Sequence, residues 1–392
     1  MSVGHVVIVG AGQGGFQAAA SLRTEGHGGP ITLIGAEPGL PYQRPPLSKA
    51  YLKSGEEEAL QLRPASFFEK NCIDLMPETR IEGIDRTAAR ITACGRNIAY
   101  DHLVLATGTR NLRPPIPGLE RALDLRTLAD ARKLRDALPG KRRVAVIGGG
   151  FIGLEFAAVA RRLGHEVTVA EAAPRLMSRA VSPEISTRFL AMHRGLGVDI
   201  RLGSAVTEVT DEGIALTDGA FVDADLVLLA AGVVPNIELA TEAGLATANG
   251  VVTDARLLTS DPAISALGDC AVFPLTGSGR LVRLESVQAA TDHARTIAKR
   301  LVGDREVAYT AVPWFWSDQA DWKLQIAGLA DPSDESVSRD DGAVLRFADG
   351  VLTAVETVND AKAHMQARKL LAGGASARRD SLAERDYDLA MV

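Results

Sequence analysis

Cysteine is scarce in this chain of 392 residues: Cys72, Cys94 and Cys270 are far apart, odd in number and nowhere in C-x-x-C spacing. That excludes a disulfide framework and a cysteine metal cluster, and it suits a reducing cytoplasm. Each cysteine reads as a small buried residue, and no metal site is expected. Long apolar runs are missing too. Nothing approaches the ~20 uninterrupted residues of a membrane helix, and the N-terminus lacks the basic, apolar, small-residue succession of a signal peptide. Positive charge is not in excess: the net charge is −6, and no basic stripe dominates, which argues against a nucleic-acid partner. The hydrophobic share of 46% and charged share of 23% are those of an ordinary soluble globular protein. The length allows two to three domains.

What is present is glycine in a pattern. His5 to Val9 is a short apolar run, long enough for a buried strand and too short for a helix. It enters Gly10-Ala11-Gly12-Gln13-Gly14-Gly15, which fits G-x-G-x-x-G at Gly10, Gly12 and Gly15. A helical Ala-rich stretch, a second apolar run at Ile31–Ile34 and an acid, Glu37, come next in order. Gly10 permits the tight turn, Gly12 lets the backbone approach a pyrophosphate, and Gly15 lets helix pack on strand. The helix N-terminus aims free N–H groups at the anion, and Glu37 accepts from an adenosine ribose. Strand, triplet, helix, strand and acid together specify a dinucleotide site.

Beyond Glu37 lies Pro41-Tyr42-Gln43-Arg44-Pro45-Pro46-Leu47-Ser48-Lys49, where two prolines stiffen the backbone and Ser48 is positioned to cap a short helix over Ala50–Leu52. Arg44 and Lys49 on this loop fall where the far end of the cofactor is expected. Residues 60–100 read as short strands and turns. A buried strand from Asp101 then breaks at Ala106-Thr107-Gly108, and Pro114 to Gly118 is a turn-rich linker.

The opening then repeats. Arg143–Ile147 is a strand, Gly148-Gly149-Gly150-Phe151-Ile152-Gly153 fits the triplet at Gly148, Gly150 and Gly153, and a helix succeeds it with Glu155 in its first turn. The next strand ends at Glu171. Two complete units imply two dinucleotides. The Glu171 carboxylate favours a free ribose 2′-OH over a 2′-phosphate, so NADH is preferred, although Arg175 sits four residues on. Asp225 to Gly232 closes this unit as 101–108 closes the first. Later come Gly268-Asp269, whose carboxylate suits a polyol hydroxyl, and a helix beginning near Val287-Gln288 whose N-terminus can donate to a flavin carbonyl.

From about 311 the composition changes. Pro313-Trp314-Phe315-Trp316-Ser317-Asp318-Gln319 precedes strand-like pieces at 323–329, 343–347 and 351–358 and a helix at 360–372. Trp314 reads as core, Trp316 as core or as facing a planar cofactor, and the tail from Ala375 as charged and loosely held. The fold class is therefore α/β: two Rossmann-like dinucleotide-binding domains, the second inserted in the first, plus a C-terminal α+β domain. The expected boundaries are 1–110 and 236–310 for FAD, 111–235 for NAD, and 311–392 for the last. Two such units suggest hydride transfer from nicotinamide to flavin. No cysteine pair succeeds either glycine motif, which disfavours dithiol chemistry. The acceptors left open are a one-electron protein, a quinone or small oxidant, and O2.

Taken together, the glycine motifs, the Pro-Tyr-Gln-Arg-Pro-Pro-Leu-Ser-Lys loop, Ala-Thr-Gly at 106–108, Gly268-Asp269 and the Trp-Phe-Trp-Ser-Asp-Gln block resemble the FAD-dependent ferredoxin reductases that serve bacterial cytochrome P450 and Rieske oxygenase systems. The resemblance covers nearly the whole chain. It implies Arg44, Lys49, Arg126, Asp269, Val287 and Gln288 on FAD, with Lys49 beside the isoalloxazine. It also implies Glu155 and Glu171 on NADH, with Trp316 close to both rings. Lys49, Trp316 and Glu155 would tune the flavin, and Gly232 would belong to the NADH site. Electrons would pass singly to a [2Fe–2S] ferredoxin, steered by basic residues such as Lys53 and Arg63. A monomer or weak homodimer fits. The rival readings are an NADH oxidase or quinone-type reductase and a non-enzymatic redox-signalling flavoprotein of the same fold.

Overall fold

The structure is a computed structural model that describes residues 3–140, 142–373 and 377–389. The chain divides into two compact units, Met1–Arg44 with Glu57–Arg110 and Val233–Ala311, and Pro45–Glu56 with Asn111–Gly232 and Val312–Val392.

In the first unit, the apolar runs become a five-stranded parallel sheet in the order Ile264–Ala266, His102–Leu105, Val6–Val9, Ile31–Ile34, Ile73–Met76. Four of these strands are buried on both faces, as a parallel sheet covered by helices requires, and the edge strand Ile73–Met76 is partly exposed; Val6, Val7, Ile8, Leu103 and Val104 are fully buried. The first strand lies in the middle. The chain leaves it to one side through the Gln13–Thr24 helix and later returns on the other as His102–Leu105. Strand order therefore reverses beside Val6–Val9, where ligands of open α/β sheets bind. The Val287–Val302 helix packs against the Gln13–Thr24 helix, with Gly14 at the contact: a Cβ there would lie 3.5 Å from Ala290 Cβ on the facing helix and 2.4 Å from Leu267 Cδ1 beside it.

Three readings of this unit need correction. A helix, Ala65–Lys70, stands within 60–100, entered from Pro64 and held by mutual packing of Phe16, Phe67 and Phe68. Cys72 and Cys94 are exposed and not buried, at φ of 49° and 48°. Each sits at a chain reversal: Cys72 comes just after that helix, and Cys94 shares with Gly95 the two-residue turn between strands Arg90–Ala93 and Arg96–Ala99. Cys270 is buried as expected.

The second unit repeats the sheet with four parallel strands, in the order Asp199–Leu202, Glu166–Glu171, Arg143–Ile147, Leu226–Leu229. It also holds a five-stranded antiparallel sheet, Trp314–Gln319, Trp322–Gly328, Val351–Val358, Val344–Ala348, Glu335–Ser338 in that order. The Ala361–Ala372 helix covers this sheet. The described part of the tail is not loose: Leu382 and Leu389 are 3% exposed and pack with Leu345, Phe347 and Val355. The apolar side chains among its charges are enough to hold it. Residues 374–376 and 390–392 lie outside the described residues.

The helix Pro183–Gly195 ties the two sheets of this unit together. At its start, Ser182 caps Ile185 N–H with its hydroxyl and donates its own N–H to both Glu356 oxygens, at 2.9 and 3.0 Å. Glu356 in turn is paired with Arg346 at 3.0 Å, the two side chains 0% and 1% exposed. Arg346 also donates to the carbonyls of Asp331 and Asp334. Burial pushes the Glu356 carboxyl above its ordinary pKa, and the bonds from Ser182 and Arg346 oppose that rise. Removing one member of such a pair strands the other in a dry interior. Glu356→Ala is expected to cost about 3–5 kcal/mol, and the paired replacement of Arg346 by Met and Glu356 by Leu much less. Calorimetric melting of the three proteins checks this.

Candidate functional site

The two glycine motifs fold identically. Gly10 and Gly148 adopt φ of 112° and 110°, and a Cβ on either would strike the Ala106 or Ala230 carbonyl oxygen at 2.1 or 2.4 Å. Gly15 and Gly153 face the first glycine's own carbonyl, where a Cβ would lie 1.8 and 2.3 Å from oxygen. The middle glycines differ in kind. Around Gly12 and Gly150 a Cβ would meet nothing within 4 Å, so both border open space. Each is the N-cap of its helix, Gln13–Thr24 and Phe151–Arg162, and offers no side chain to cap it. First-turn N–H groups at such ends need an acceptor from outside the chain. An open cradle lined by helix N–H groups fits a pyrophosphate, and it is built twice.

The acids after the motifs have different partners. Glu37 accepts from the Tyr42 hydroxyl and from Arg44 Nη2, both at 2.5 Å. Burial opposes the charge on Arg44, but Tyr42, Glu37 and Asp269 together raise its pKa above the usual arginine value. Arg44, Glu37 and Asp269 thus form one cluster in the first unit. Thr109 also lies there, its hydroxyl 3.4 Å from Asp269, and the Asn236 amide donates to the Thr107 carbonyl. Val287 and Gln288 open their helix behind the Ser286 cap, with Gln288 donating to Asp292. Glu171, by contrast, accepts only backbone donors among the described residues, Gly149 N–H at 2.6 Å and Ala173 N–H at 2.7 Å. Arg175 is turned onto the carbonyls of Ser178 and Val181.

Glu155 is not in the first turn of its helix, where the sequence places it: the helix starts at Phe151, which puts Glu155 one turn in, and its side chain is 7% exposed. Oε2 accepts from the Ser48 hydroxyl at 2.6 Å, and Oε1 from Lys49 Nζ at 3.0 Å and the Ser317 hydroxyl at 2.8 Å. Ser48 therefore does not cap the Ala50–Ser54 helix. It ends a 3₁₀ turn, Pro45–Ser48, and its hydroxyl donates to a buried carboxylate, a stronger partner than a helix-end N–H. Lys49, Arg126, Gly232 and Trp316 belong to the second unit, with Gly148, Gly150, Gly153, Glu155 and Glu171, whereas the remaining candidates belong to the first. Arg126 precedes the Thr127 capping box of the Leu128–Ala137 helix. Gly232, at φ 103°, lies two residues past the Ala230 carbonyl that Gly148 abuts.

Side chains alternate along Trp314–Gln319. Phe315, Ser317 and Gln319 share the face against the Phe151–Arg162 helix, Phe315 meeting Phe151 at 4.6 Å between ring centroids. Trp314 and Trp316 share the other face, 5.6 Å apart, and Trp314 is only partly buried, against His364 and beneath Arg368. Ser48, Ser317, Gln319 and Tyr42 are polar partners of the site that sequence reasoning misses. The period-two burial of Ser317 and Gln319 beside Phe315 is the one available signal.

Two cradles of one build, each with its acid, define a protein that binds two dinucleotides. Family comparison agrees: residues 4–294 match the pyridine nucleotide-disulphide oxidoreductase model and 314–392 the reductase C-terminal model. The chain belongs to the pyridine nucleotide-disulphide oxidoreductase family. Rhodocoxin reductase of Rhodococcus erythropolis is 46% identical over 99% of this chain and 94% of its own. Putidaredoxin reductase of Pseudomonas putida is 39% identical over 94% and 91%. The ferredoxin reductase for the CYP199A2 system of Rhodopseudomonas palustris superposes with a TM-score of 0.94 at 46% identity, covering 98% of both chains. The covalent putidaredoxin reductase–putidaredoxin complex gives 0.94 at 36%, covering 99% and 98%.

The glycine geometry separates binding from folding. Gly12→Ala, with φ −75° already suited to alanine, is expected to leave the melting temperature within about 3 °C while the purified protein loses its flavin absorbance. Gly15→Ala is expected to lower the melting temperature outright. Absorbance spectra and melting curves of both variants decide it.

Proposed function

We propose that this chain is an NADH-dependent ferredoxin reductase, taking two electrons from NADH on FAD and passing them singly to a [2Fe–2S] ferredoxin that feeds a P450 or Rieske oxygenase. The observation that carries it is the doubled cradle in a chain without a cysteine pair, similar along its whole length to ferredoxin reductases. FAD belongs to the first cradle, in a domain of residues 1–110 and 236–310, and NADH to the second, within 111–235, with 311–392 as a C-terminal domain. When bound, the flavin accepts a hydride and releases electrons one at a time.

The residues supply binding and electrostatics. Helix N–H groups behind Gly12 and Gly150 hold the pyrophosphates, and Glu37 and Glu171 the riboses. Glu155 anchors the Lys49 ammonium, a cation that stabilises negative charge developing on the flavin. Trp316 supplies a flat apolar wall. Because Glu171 has backbone donors alone among the described residues and Arg175 is committed to carbonyls, a 2′-phosphate would meet an uncompensated carboxylate. Lys53 and Arg63 are exposed and suit an acidic partner. No helix among the described residues is long and apolar enough to cross a membrane, and three free cysteines suit the cytoplasm.

Rapid mixing tests the reading. NADH-reduced enzyme is expected to be reoxidised by a [2Fe–2S] ferredoxin under argon far faster than by air-saturated buffer; equal rates with every ferredoxin tried would sink it. Replacing Glu171 by Ser is expected to narrow the NADH-over-NADPH ratio of kcat/KM by about tenfold, since it removes the repelling charge.

A further inference from the structure

Glu155 is the end of a longer line of bonds. Ser317, which donates to Glu155 Oε1, itself accepts from Gln319 Nε2 at 3.2 Å. The Gln319 carbonyl oxygen lies 2.8 Å from His193 Nε2 on the Pro183–Gly195 helix. All three side chains are fully buried. The direction of donation is determined. Ser317 spends its proton on the carboxylate, so Gln319 must donate to it with its amide, leaving the Gln319 oxygen to accept. His193 Nδ1 is buried with no partner among the described residues, and burial holds the ring below its ordinary pKa. A neutral ring with one partner carries its proton on Nε2 and donates it to Gln319. The same Gln319 amide lies 3.5 Å from Met177 Sδ, and Met177 N–H holds the Gly149 carbonyl inside the second cradle.

We propose that His193, Gln319 and Ser317 form a positioning relay that fixes the Glu155 carboxylate, and through it Lys49, at the nicotinamide site. Neither of the outer two touches the site; each acts through its neighbour. A hydroxyl that has its own donor is a better donor in turn, so the bond to Glu155 is strongest when the line is complete. The C-terminal sheet thereby takes part in NADH binding without contributing a ligand from Gln319. This rests on Glu155 serving NADH, as proposed above.

The test is calorimetric titration of the FAD-loaded, oxidised protein with NAD⁺, which reads binding apart from turnover. Ser317→Ala is expected to weaken NAD⁺ by about tenfold, the scale of one charge-assisted hydrogen bond, and Gln319→Leu by a few-fold. Ser317→Thr, which keeps the hydroxyl, should return to within about twofold of the parent. In the Ser317→Ala background the Gln319 change should add nothing, because its effect passes through the missing hydroxyl. A general loosening of the fold would add in full and would not be rescued by threonine. Wild-type affinity in Gln319→Leu, or additivity in the double variant, overturns the relay while Glu155→Ala stays weak. Wild-type affinity in Glu155→Ala would instead remove the underlying assignment of Glu155. Should Gln319→Leu not fold, His193→Phe gives the same comparison, with about a twofold loss supporting the relay and no loss overturning it.

Discussion

A carboxylate taken out of water must be surrounded by donors, or it destabilises whatever buries it. Glu155 meets that condition by drawing donors from widely separated parts of the sequence: Ser48 and Lys49 at the end of the proline-stiffened turn, and Ser317 on the antiparallel sheet. Its own backbone lies in the second turn of the Phe151–Arg162 helix, just past the second glycine cradle. One buried charge thus specifies how three segments of the second unit meet. Remove it, and the Lys49 ammonium loses its counter-charge while two buried serines lose their acceptor; the cradle, the turn and the sheet would no longer be held to a common point.

The duplication shows how one motif is turned to two uses. The backbone geometry of the two cradles is the same to within a few degrees at the first glycine. The surroundings of the acid after each second strand are not the same. In the first unit the acid is neutralised by an arginine and a tyrosine from the adjoining loop. In the second the acid is held by peptide N–H groups, and no cation pairs with it among the described residues. The difference lies in a loop five to seven residues past the acid, not in the motif. The two acids therefore differ through neighbours that the glycine pattern does not mention.

This is also why the sequence is legible in one place and silent in another. Gly10, Gly15, Gly148 and Gly153 answer to local sterics, and spacing alone identifies them. The parallel strands announce themselves as unbroken apolar runs. Ser48 and Ser317 are 107 and 162 residues from the carboxylate they serve, and no local period relates them. Cys72 and Cys94 defeat a reading from residue type because a cysteine's burial is set by the turn it occupies, here a left-handed one, and not by its chemistry. The tail defeats a reading from composition because charge outnumbers its leucines, yet Leu382 and Leu389 need only one face each to reach the core.

The family's name invokes disulphides, and this chain has dispensed with them. Of its three thiols, two are exposed on turns, and the third, Cys270, is sealed in the first unit with its sulfur 3.3 Å from the Leu267 carbonyl. Burial pushes that thiol above its ordinary pKa, which disfavours the thiolate that exchange chemistry needs. Cys270 is therefore a packing residue beside the Ala106–Gly108 turn and no relay. With sulfur removed from the path, electrons entering as a pair have to leave by a direct route from the flavin. A fold that keeps both nucleotide cradles but has no thiol to receive their electrons is suited to an acceptor outside the chain, and a one-electron protein meets that need without any further residue chemistry.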